Sequence, residues 1–183
     1  MHEHFNKYLN VEELIRRARP QLIVELGAGS GENTRQLLTL CKELDARLIV
    51  FSDGSPPSDL AGRLDWRWEL SYLGVQELSE DSIDVAIIDT DHNSWTVDRE
   101  IGILSTKMRP SGLVLLHDTE SFAESNGYMT GYSCGERYQL EKMMEDERGY
   151  EQAVRSWIGR GFDLVRETKE SAGAMALRRV VLV

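Results

Sequence analysis

The chain has 183 residues, a length that suits one domain with a sizeable core, so we expect a single domain over residues 1–183. Its 31 Asp and Glu residues outnumber its 21 Lys and Arg residues, and the net charge of −10 would repel the phosphates of nucleic acids and anionic membranes, which leaves a small molecule as the expected partner. Two cysteines, no apolar segment of membrane-spanning length and no leader pattern at residues 1–4 predict a reduced, cytoplasmic protein.

The first half of the chain alternates predicted helices and strands. Leu14, Ile15 and Ala18 recur at helical spacing before Pro20, so residues 1–20 are expected to form a helical cover, either over a ligand or simply packed on the core. The next predicted elements are a strand at 22–26, a glycine-rich turn, a helix carrying Leu37, Cys41 and Leu44, a strand at 47–51, a short helix, and a third strand around 65–71.

The second half begins with residues 83–88, which have the continuous apolar composition of a buried parallel strand. The next predicted elements are a helix with Val97, Ile101, Leu104 and Met108 on one face, closed by Pro110, a strand at 113–116, a charged helix at 138–148, and strands at 162–168 and 174–183 joined by a turn near 171–173.

Between the strand at 113–116 and the charged helix lies a loop at 119–135 that we expect to act as a lid. Its residues Tyr128, Met129 and Tyr132 fit either a wall for a bound acceptor or contacts in a homodimer.

This order of elements predicts an α/β fold. We expect a doubly wound, Rossmann-like sheet that is mostly parallel, with helices on both faces and an antiparallel addition at the C-terminal end. Ligands of such sheets bind beyond the carboxyl ends of the strands. Polar residues that directly follow the predicted strands are therefore the candidates for a functional site.

The first strand ends in a loop of ligand-binding type that contains Gly27, Ala28, Gly29, Ser30 and Gly31. Glycine adopts backbone angles closed to other residues, and without a Cβ atom it lets the chain approach a ligand closely. A dinucleotide-binding loop has the spacing G-x-G-x-x-G, whereas this loop has G-x-G-x-G, which argues against NAD. Glu25, near the carboxyl end of the strand, lies where these sheets hold ligand-binding groups.

The segment at 24–31, Val-Glu-Leu-Gly-Ala-Gly-Ser-Gly, resembles the first motif of class I S-adenosylmethionine-dependent methyltransferases. In that family this loop wraps the methionine part of the cofactor. The resemblance therefore implies that Glu25 and the five loop residues bind S-adenosylmethionine. It also implies a sheet of seven strands in which the last strand is reversed.

Two further positions are candidates for cofactor binding. Asp53 follows the second strand and could accept hydrogen bonds from ribose hydroxyls, a role that the resemblance also implies; the alternative is that it only opens a turn. Ser71 ends the third strand and is a candidate for the adenine side, with Trp68 or Tyr72 available to stack on the ring. Trp66 is expected to belong to the core.

Acidic and imidazole side chains follow the next two strands. Asp89, Asp91 and His92 come after one strand, and His117 and Asp118 come after the other. Neighbouring strands would bring them to one edge of the sheet, beside the methyl donor, where Asp89 and Asp118 could hold Mg²⁺ or another divalent cation that helps an acceptor hydroxyl to ionise. Asp91 is more consistent with a supporting or turn residue, and strand-end capping is the alternative for the others.

These two motifs resemble those of metal-dependent O-methyltransferases that act on catechols and, more closely, of those that act on sugars or natural products. Asp89 and Asp118 match the family's aspartates, and His92 has the position of the proposed general base of the sugar-type enzymes. His117 stands where those enzymes have Glu, and Thr119 stands where the catechol type has Asn. His117 is therefore a third metal ligand, a residue that orients Asp118, or a buried hydrogen-bonded histidine.

The predicted function is S-adenosylmethionine-dependent methyl transfer to a hydroxyl oxygen of a small acceptor, assisted by a divalent cation. His92 and Asp89 are the predicted catalytic residues, and Asp89 is also expected to border the cofactor. One alternative is a protein that binds S-adenosylmethionine without catalysis, although binding alone does not require the set Asp89, His92 and Asp118. The other is an NAD-dependent oxidoreductase, which the spacing of the glycine loop opposes.

Overall fold

Seven strands form one mixed sheet in the part of the chain that the computed structural model describes, namely residues 6–7, 9–90, 92–119, 150–170 and 173–181. In chain order the elements are α1 (Val11–Ala18), β1 (Leu22–Leu26), α2 (Glu32–Leu44), β2 (Arg47–Ser52), β3 (Asp65–Trp68), α3 (Ser71–Gln76), β4 (Ile83–Ile88), α4 (Ser94–Lys107), β5 (Met108–His117), α5 (Tyr150–Arg155), β6 (Phe162–Thr168) and β7 (Ala174–Arg179). The strand order is β3-β2-β1-β4-β5-β7-β6.

The first five strands run parallel, and β7 is antiparallel to both β5 and β6. The chain builds outward from β1 through β2 to β3 and then crosses back to add β4 on the other side of β1. A crevice forms at such a reversal, beyond the carboxyl ends of the two central strands, where Leu26 pairs with Ile88. The predicted doubly wound sheet with an antiparallel C-terminal addition is thus confirmed.

Helices cover both faces of the sheet because successive strand residues point to opposite sides. Ile23 packs into a cluster with the apolar residues of α1 and α2, whereas its neighbour Val24 packs into a second cluster with residues of α3, α4 and α5. Burial on both sides explains why β1 and β4 are almost continuously apolar. None of the helices in the described ranges is both long and apolar enough to cross a membrane.

Several predicted elements differ from the structure in extent or type. Met108 is the C-cap of the preceding helix, its N–H donating to the Leu104 carbonyl, and it is also the first residue of β5, where it pairs with Ile83. The short helix expected before the third strand is a series of turns at 58–63, and that strand ends at Trp68, so Ser71 is the first residue of α3. At the C-terminal side, β7 ends at Arg179.

Several sequence-based predictions fall outside the described residues. They are the lid beyond Thr119 with its residues Tyr128, Met129 and Tyr132, the helix at 138–148, Asp91, residues 1–5 of the N-terminal cover, and two residues of the turn near 171–173.

Candidate functional site

The loop after β1 lies directly against the end of β4. The Gly27 N–H donates to the carbonyl of Phe51 at 2.9 Å, and the Asp89 N–H donates to the carbonyl of Leu26 at 2.9 Å. Gly27 has a φ of +81°, and a Cβ atom built on it would lie 2.3 Å from the backbone oxygen of Asp89. Glycine is therefore needed here both for the left-handed backbone and for the close contact.

The rest of the loop is fastened from within while its tip faces outward. The Gly31 N–H donates to the carbonyl of Ala28 at 2.7 Å, and Gly31 is the residue before α2. Gly29 and Ser30 are exposed, and a Cβ atom on Gly29 would meet nothing within 4 Å. The loop therefore presents open backbone at the edge of the crevice, which suits close contact with a small molecule.

Glu25 is fully buried beneath this loop. Its Oε2 accepts a hydrogen bond from the Thr34 hydroxyl at 2.6 Å, while its Oε1 has no hydrogen-bond partner among the described residues. Burial raises the pKa of the Glu25 carboxyl to about 8, although the hydrogen bond from Thr34 opposes this change. An acceptor atom of this kind is suited to a ligand that carries a cationic hydrogen-bond donor, such as the ammonium group of a methionine moiety.

The predicted ribose residue, Asp53, is exposed directly after β2. Two indole side chains from β3 fasten the backbone of this turn, since Trp68 Nε1 donates to the Asp53 carbonyl at 2.6 Å and Trp66 Nε1 donates to the Gly54 carbonyl at 2.9 Å. Trp66 is half-buried and also packs against one core cluster. Asp53 therefore lies in a turn whose backbone is held by two hydrogen bonds, at the same edge of the sheet as the glycine loop.

The second group of predicted residues comes together beyond β4 and β5. Asp89, His92, His117 and Asp118 each offer one ligand atom, and all four atoms lie within 4.8 Å of one another. His117 Nδ1 is 3.0 Å from Asp118 Oδ1 and 3.4 Å from Asp89 Oδ1. His92 Nε2 is 3.5 Å from Asp89 Oδ1 and 3.8 Å from Asp118 Oδ2. Two carboxylates and two imidazoles at these distances could hold a divalent cation.

Electrostatic coupling within this cluster is strong. Burial alone would raise the pKa of Asp89, but the contacts with His117 and His92 outweigh it and hold that pKa well below its usual range. Burial would likewise lower the pKa of His117, yet Asp118 and Asp89 raise it to about 9. His117 is therefore protonated at neutral pH in the metal-free protein, and binding a cation through this imidazole would release a proton.

Each of the two histidine-containing segments includes a residue with left-handed backbone angles. His92 and Asp118 have φ values of +43° and +52°, in the left-handed region that non-glycine residues seldom adopt. Asn93 caps the N-terminus of α4 by accepting a hydrogen bond from the Thr96 N–H at 2.8 Å. Tyr150 of α5 packs beside His92, with the ring centroids 5.6 Å apart. The side chain of His92 is thus held between a helix start and an aromatic ring.

Three buried residues of the site were not predicted. Asn33 donates from Nδ2 to Asp89 Oδ2 at 2.9 Å and so links the start of α2 to the cluster, while Thr34 supports Glu25. Glu100 of α4 accepts from the hydroxyls of Ser71 and of Thr90. The sequence could have indicated Glu100, because it follows Val97 by three residues and is therefore a charged residue on the apolar face of its helix.

We expect Gly27→Ala to lower the free energy of unfolding by about 3 kcal/mol, because the added methyl adds a clash with the backbone of Asp89 to the cost of a left-handed alanine. Gly29→Ala is the matched control, since it has the same kind of backbone strain without a clash, and should cost about 1 kcal/mol. Urea denaturation of both variants measures the difference. Equal losses would contradict the proposed close contact.

The raised pKa of Glu25 predicts a pH dependence of stability. The folded state holds this proton up to about pH 8, whereas the unfolded chain releases it near 4.5, so the stabilisation is complete below pH 4.5 and is lost as the pH rises through 8. Relative to wild type, Glu25→Gln should therefore gain stability between these pH values, by about 1.4 kcal/mol per pH unit at most. Urea denaturation at several pH values, without ligand, tests this; a constant difference would refute it.

Comparisons with known proteins identify the family and the fold of the chain. A family model described as a methyltransferase domain matches residues 24–119, which is more than half of the chain. The match runs from β1, just before the glycine loop, to the residue after Asp118. No curated protein sequence matches the chain.

Solved structures of similar fold include several methyltransferases. A Staphylococcus aureus protein proposed to be a caffeoyl-CoA O-methyltransferase superposes with a TM-score of 0.65 at 12% identity, covering 93% of this chain and 81% of that one. The methyltransferase PaMTH1 of Podospora anserina, with S-adenosylhomocysteine bound, gives 0.61 at 11% identity, covering 92% and 75%. The 1,6-didemethyltoxoflavin-N1-methyltransferase of Burkholderia thailandensis gives 0.56 at 17%, covering 97% and 84%. Given the family match and this shared fold, the chain belongs to the class I S-adenosylmethionine-dependent methyltransferases.

Proposed function

We propose that this methyltransferase transfers a methyl group to a hydroxyl oxygen of a small acceptor, with a divalent cation bound by Asp89, His117 and Asp118. The observation that carries the proposal is the cluster of two carboxylates and two imidazoles directly beside the glycine loop. Binding a cofactor alone would not require such a cluster. It supports a reaction in which an acceptor loses a proton next to the methyl donor.

The cofactor side rests on the loop and the strand ends. S-adenosylmethionine, when bound, supplies a methyl carbon made electrophilic by the neighbouring sulfonium. Glu25 would accept a hydrogen bond from the ammonium group of its methionine part through the buried Oε1. Asp53 would accept from the ribose hydroxyls, and Ser71 would border the adenine. The loop backbone at 27–31 would enclose the cofactor chain, since its exposed tip carries no bulky side chain.

The donor set suggests the class of cation. Mg²⁺ prefers oxygen ligands only, whereas a set that mixes imidazole with carboxylate suits Mn²⁺, Fe²⁺, Co²⁺ or Zn²⁺ better. Asn33 would hold Asp89 in place, because its amide already donates to Oδ2 and leaves Oδ1 toward the cluster. A divalent cation, when bound, supplies positive charge that makes an acceptor hydroxyl more acidic.

His92 is the proposed general base. Its Nε2 faces the carboxylates of Asp89 and Asp118 at 3.5 and 3.8 Å, so a proton taken from the acceptor would be stabilised by two negative charges. The remaining contribution of the protein is alignment of the acceptor oxygen with the methyl carbon, which in well-oriented systems lowers a barrier by about 7–11 kcal/mol at the limit. Asp89 would contribute to both the cofactor side and the acceptor side, since its backbone contacts the glycine loop and its side chain belongs to the cluster.

The cofactor proposal is tested by calorimetry. We expect S-adenosylhomocysteine to bind the purified protein and NAD to show no binding at the same concentrations, because the loop lacks the dinucleotide spacing. A Gly27→Ala variant should lose S-adenosylhomocysteine binding, and Asp163→Ala, on the exposed side of β6, should keep it. Absence of S-adenosylhomocysteine binding to the wild-type protein would refute the proposed cofactor.

The metal and acceptor proposals are tested by activity. Methyl transfer to a panel of catechols and hydroxylated sugars would be measured after EDTA treatment and again with added Mg²⁺, Mn²⁺ or Zn²⁺. We expect EDTA, Asp89→Ala and Asp118→Ala each to lower the rate about hundredfold or more, with Asp163→Ala as the unaffected control. Rates that stay unchanged in EDTA and in both cluster variants would remove the metal while leaving the cofactor proposal intact.

A further inference from the structure

Glu100 is a fully buried carboxylate that the proposed reaction does not use. It lies on α4, where its Oε1 accepts a hydrogen bond from the hydroxyl of Ser71 and its Oε2 accepts one from the hydroxyl of Thr90 at 3.1 Å. Ser71 is the first residue of α3, shortly after β3, and Thr90 lies in the loop that follows β4. Burial of a carboxylate is costly, so its presence on an apolar helix face calls for a specific role.

These contacts connect two parts of the cofactor side. Thr90 follows Asp89, and its Cα lies 2.9 Å from the position that a Cβ atom of Gly27 would occupy. Ser71 begins α3, immediately beyond the strand that borders the braced turn at Asp53. Through these two hydrogen bonds Glu100 connects Thr90, beside the glycine loop, to Ser71, on the proposed adenine side of the crevice.

The chemistry of the carboxylate determines how Ser71 can act. A hydroxyl has one hydrogen to donate and two lone pairs that accept, and both carboxyl oxygens of Glu100 accept from a neighbouring hydroxyl. Because Ser71 directs its hydrogen to Glu100, the lone pairs of its oxygen are what it can offer to a ligand. We infer that Glu100 is a positioning residue that makes Ser71 a hydrogen-bond acceptor, so that the site selects the 6-amino group of adenine against a 6-oxo purine.

This inference rests on the proposed S-adenosylmethionine site and adds a selectivity to it. Ser71 can accept a hydrogen bond from an amino group at position 6, but its lone pairs would face the lone pairs of a carbonyl oxygen there. A buried polar pair that is mismatched in this way costs about tenfold or more in affinity. The wild-type protein should therefore bind S-adenosylhomocysteine at least about tenfold more tightly than S-inosylhomocysteine, its 6-oxo analogue.

Calorimetric titration of both ligands into four proteins tests the inference. In Glu100→Gln the side-chain amide can either accept from Ser71 or, after a flip, donate to it, so Ser71 can turn its hydrogen toward a 6-oxo group. We expect this variant to gain affinity for S-inosylhomocysteine while affinity for S-adenosylhomocysteine changes little. A variant that is merely destabilised would lose affinity for both ligands.

Two further variants complete the design. Thr90→Val removes the second hydroxyl but keeps the carboxylate, so it should retain the wild-type selectivity. Ser71→Ala should bind S-adenosylhomocysteine more weakly and lose the selectivity, which tests the inference even if Glu100→Gln does not fold.

Outcomes of the same titrations separate the two proposals. If neither ligand binds wild type, the proposed cofactor fails and this inference fails with it. If S-adenosylhomocysteine binds but wild type does not discriminate, or if Ser71→Ala or Glu100→Gln keeps the full selectivity, the role of Glu100 is refuted while the cofactor site stands.

Discussion

The contact between the loop after β1 and the end of β4 is the constraint on which the rest of the site depends. Gly27 lies so close to the backbone of Asp89 that no side chain fits between them. This contact follows from the crossing of the chain between β3 and β4, which makes β1 and β4 neighbours at the reversal of strand order. It brings the glycine loop and the first residue of the carboxylate–imidazole cluster together without any long connecting segment.

Charge balance is the second organising feature. Asp89 and Asp118 would repel each other at the edge of the sheet, and in the absence of a cation the imidazole of His117, whose pKa is raised, lies within 3.4 Å of a carboxylate oxygen of each and offsets part of that repulsion. Glu25 is different, because burial raises its pKa to about 8 and leaves the carboxyl neutral at neutral pH. The edge of the crevice thus holds a buried, neutral Glu25 carboxyl and an Asp89 carboxylate whose pKa is lowered by the neighbouring imidazoles. Each type suits a different partner.

The sheet and its topology were predictable because they obey periodic rules, and the same rules place the candidate site residues at strand ends. Continuous apolar runs marked β1 and β4, and acidic residues after them marked the strand ends that line a crevice. Met108 keeps its helical hydrogen bond to the Leu104 carbonyl but has extended backbone angles, because it also pairs with Ile83 and so starts β5. Asn33 and Thr34 follow the glycine loop in an ordinary polar helix start, and only the folded geometry reveals that they face Asp89 and Glu25.

The antiparallel pairing of β7 with β5 has a consequence for how the protein is made. His117 pairs with Ala174, and the Thr119 N–H donates to the carbonyl of Gly173, so the segment bearing Asp118 is held by residues synthesised more than fifty positions later. Strands β1, β2 and β4 can pair on the ribosome soon after residue 88 has emerged. On a growing chain the edge with the glycine loop can therefore assemble early, whereas β5 gains its second neighbour only after β7 has emerged.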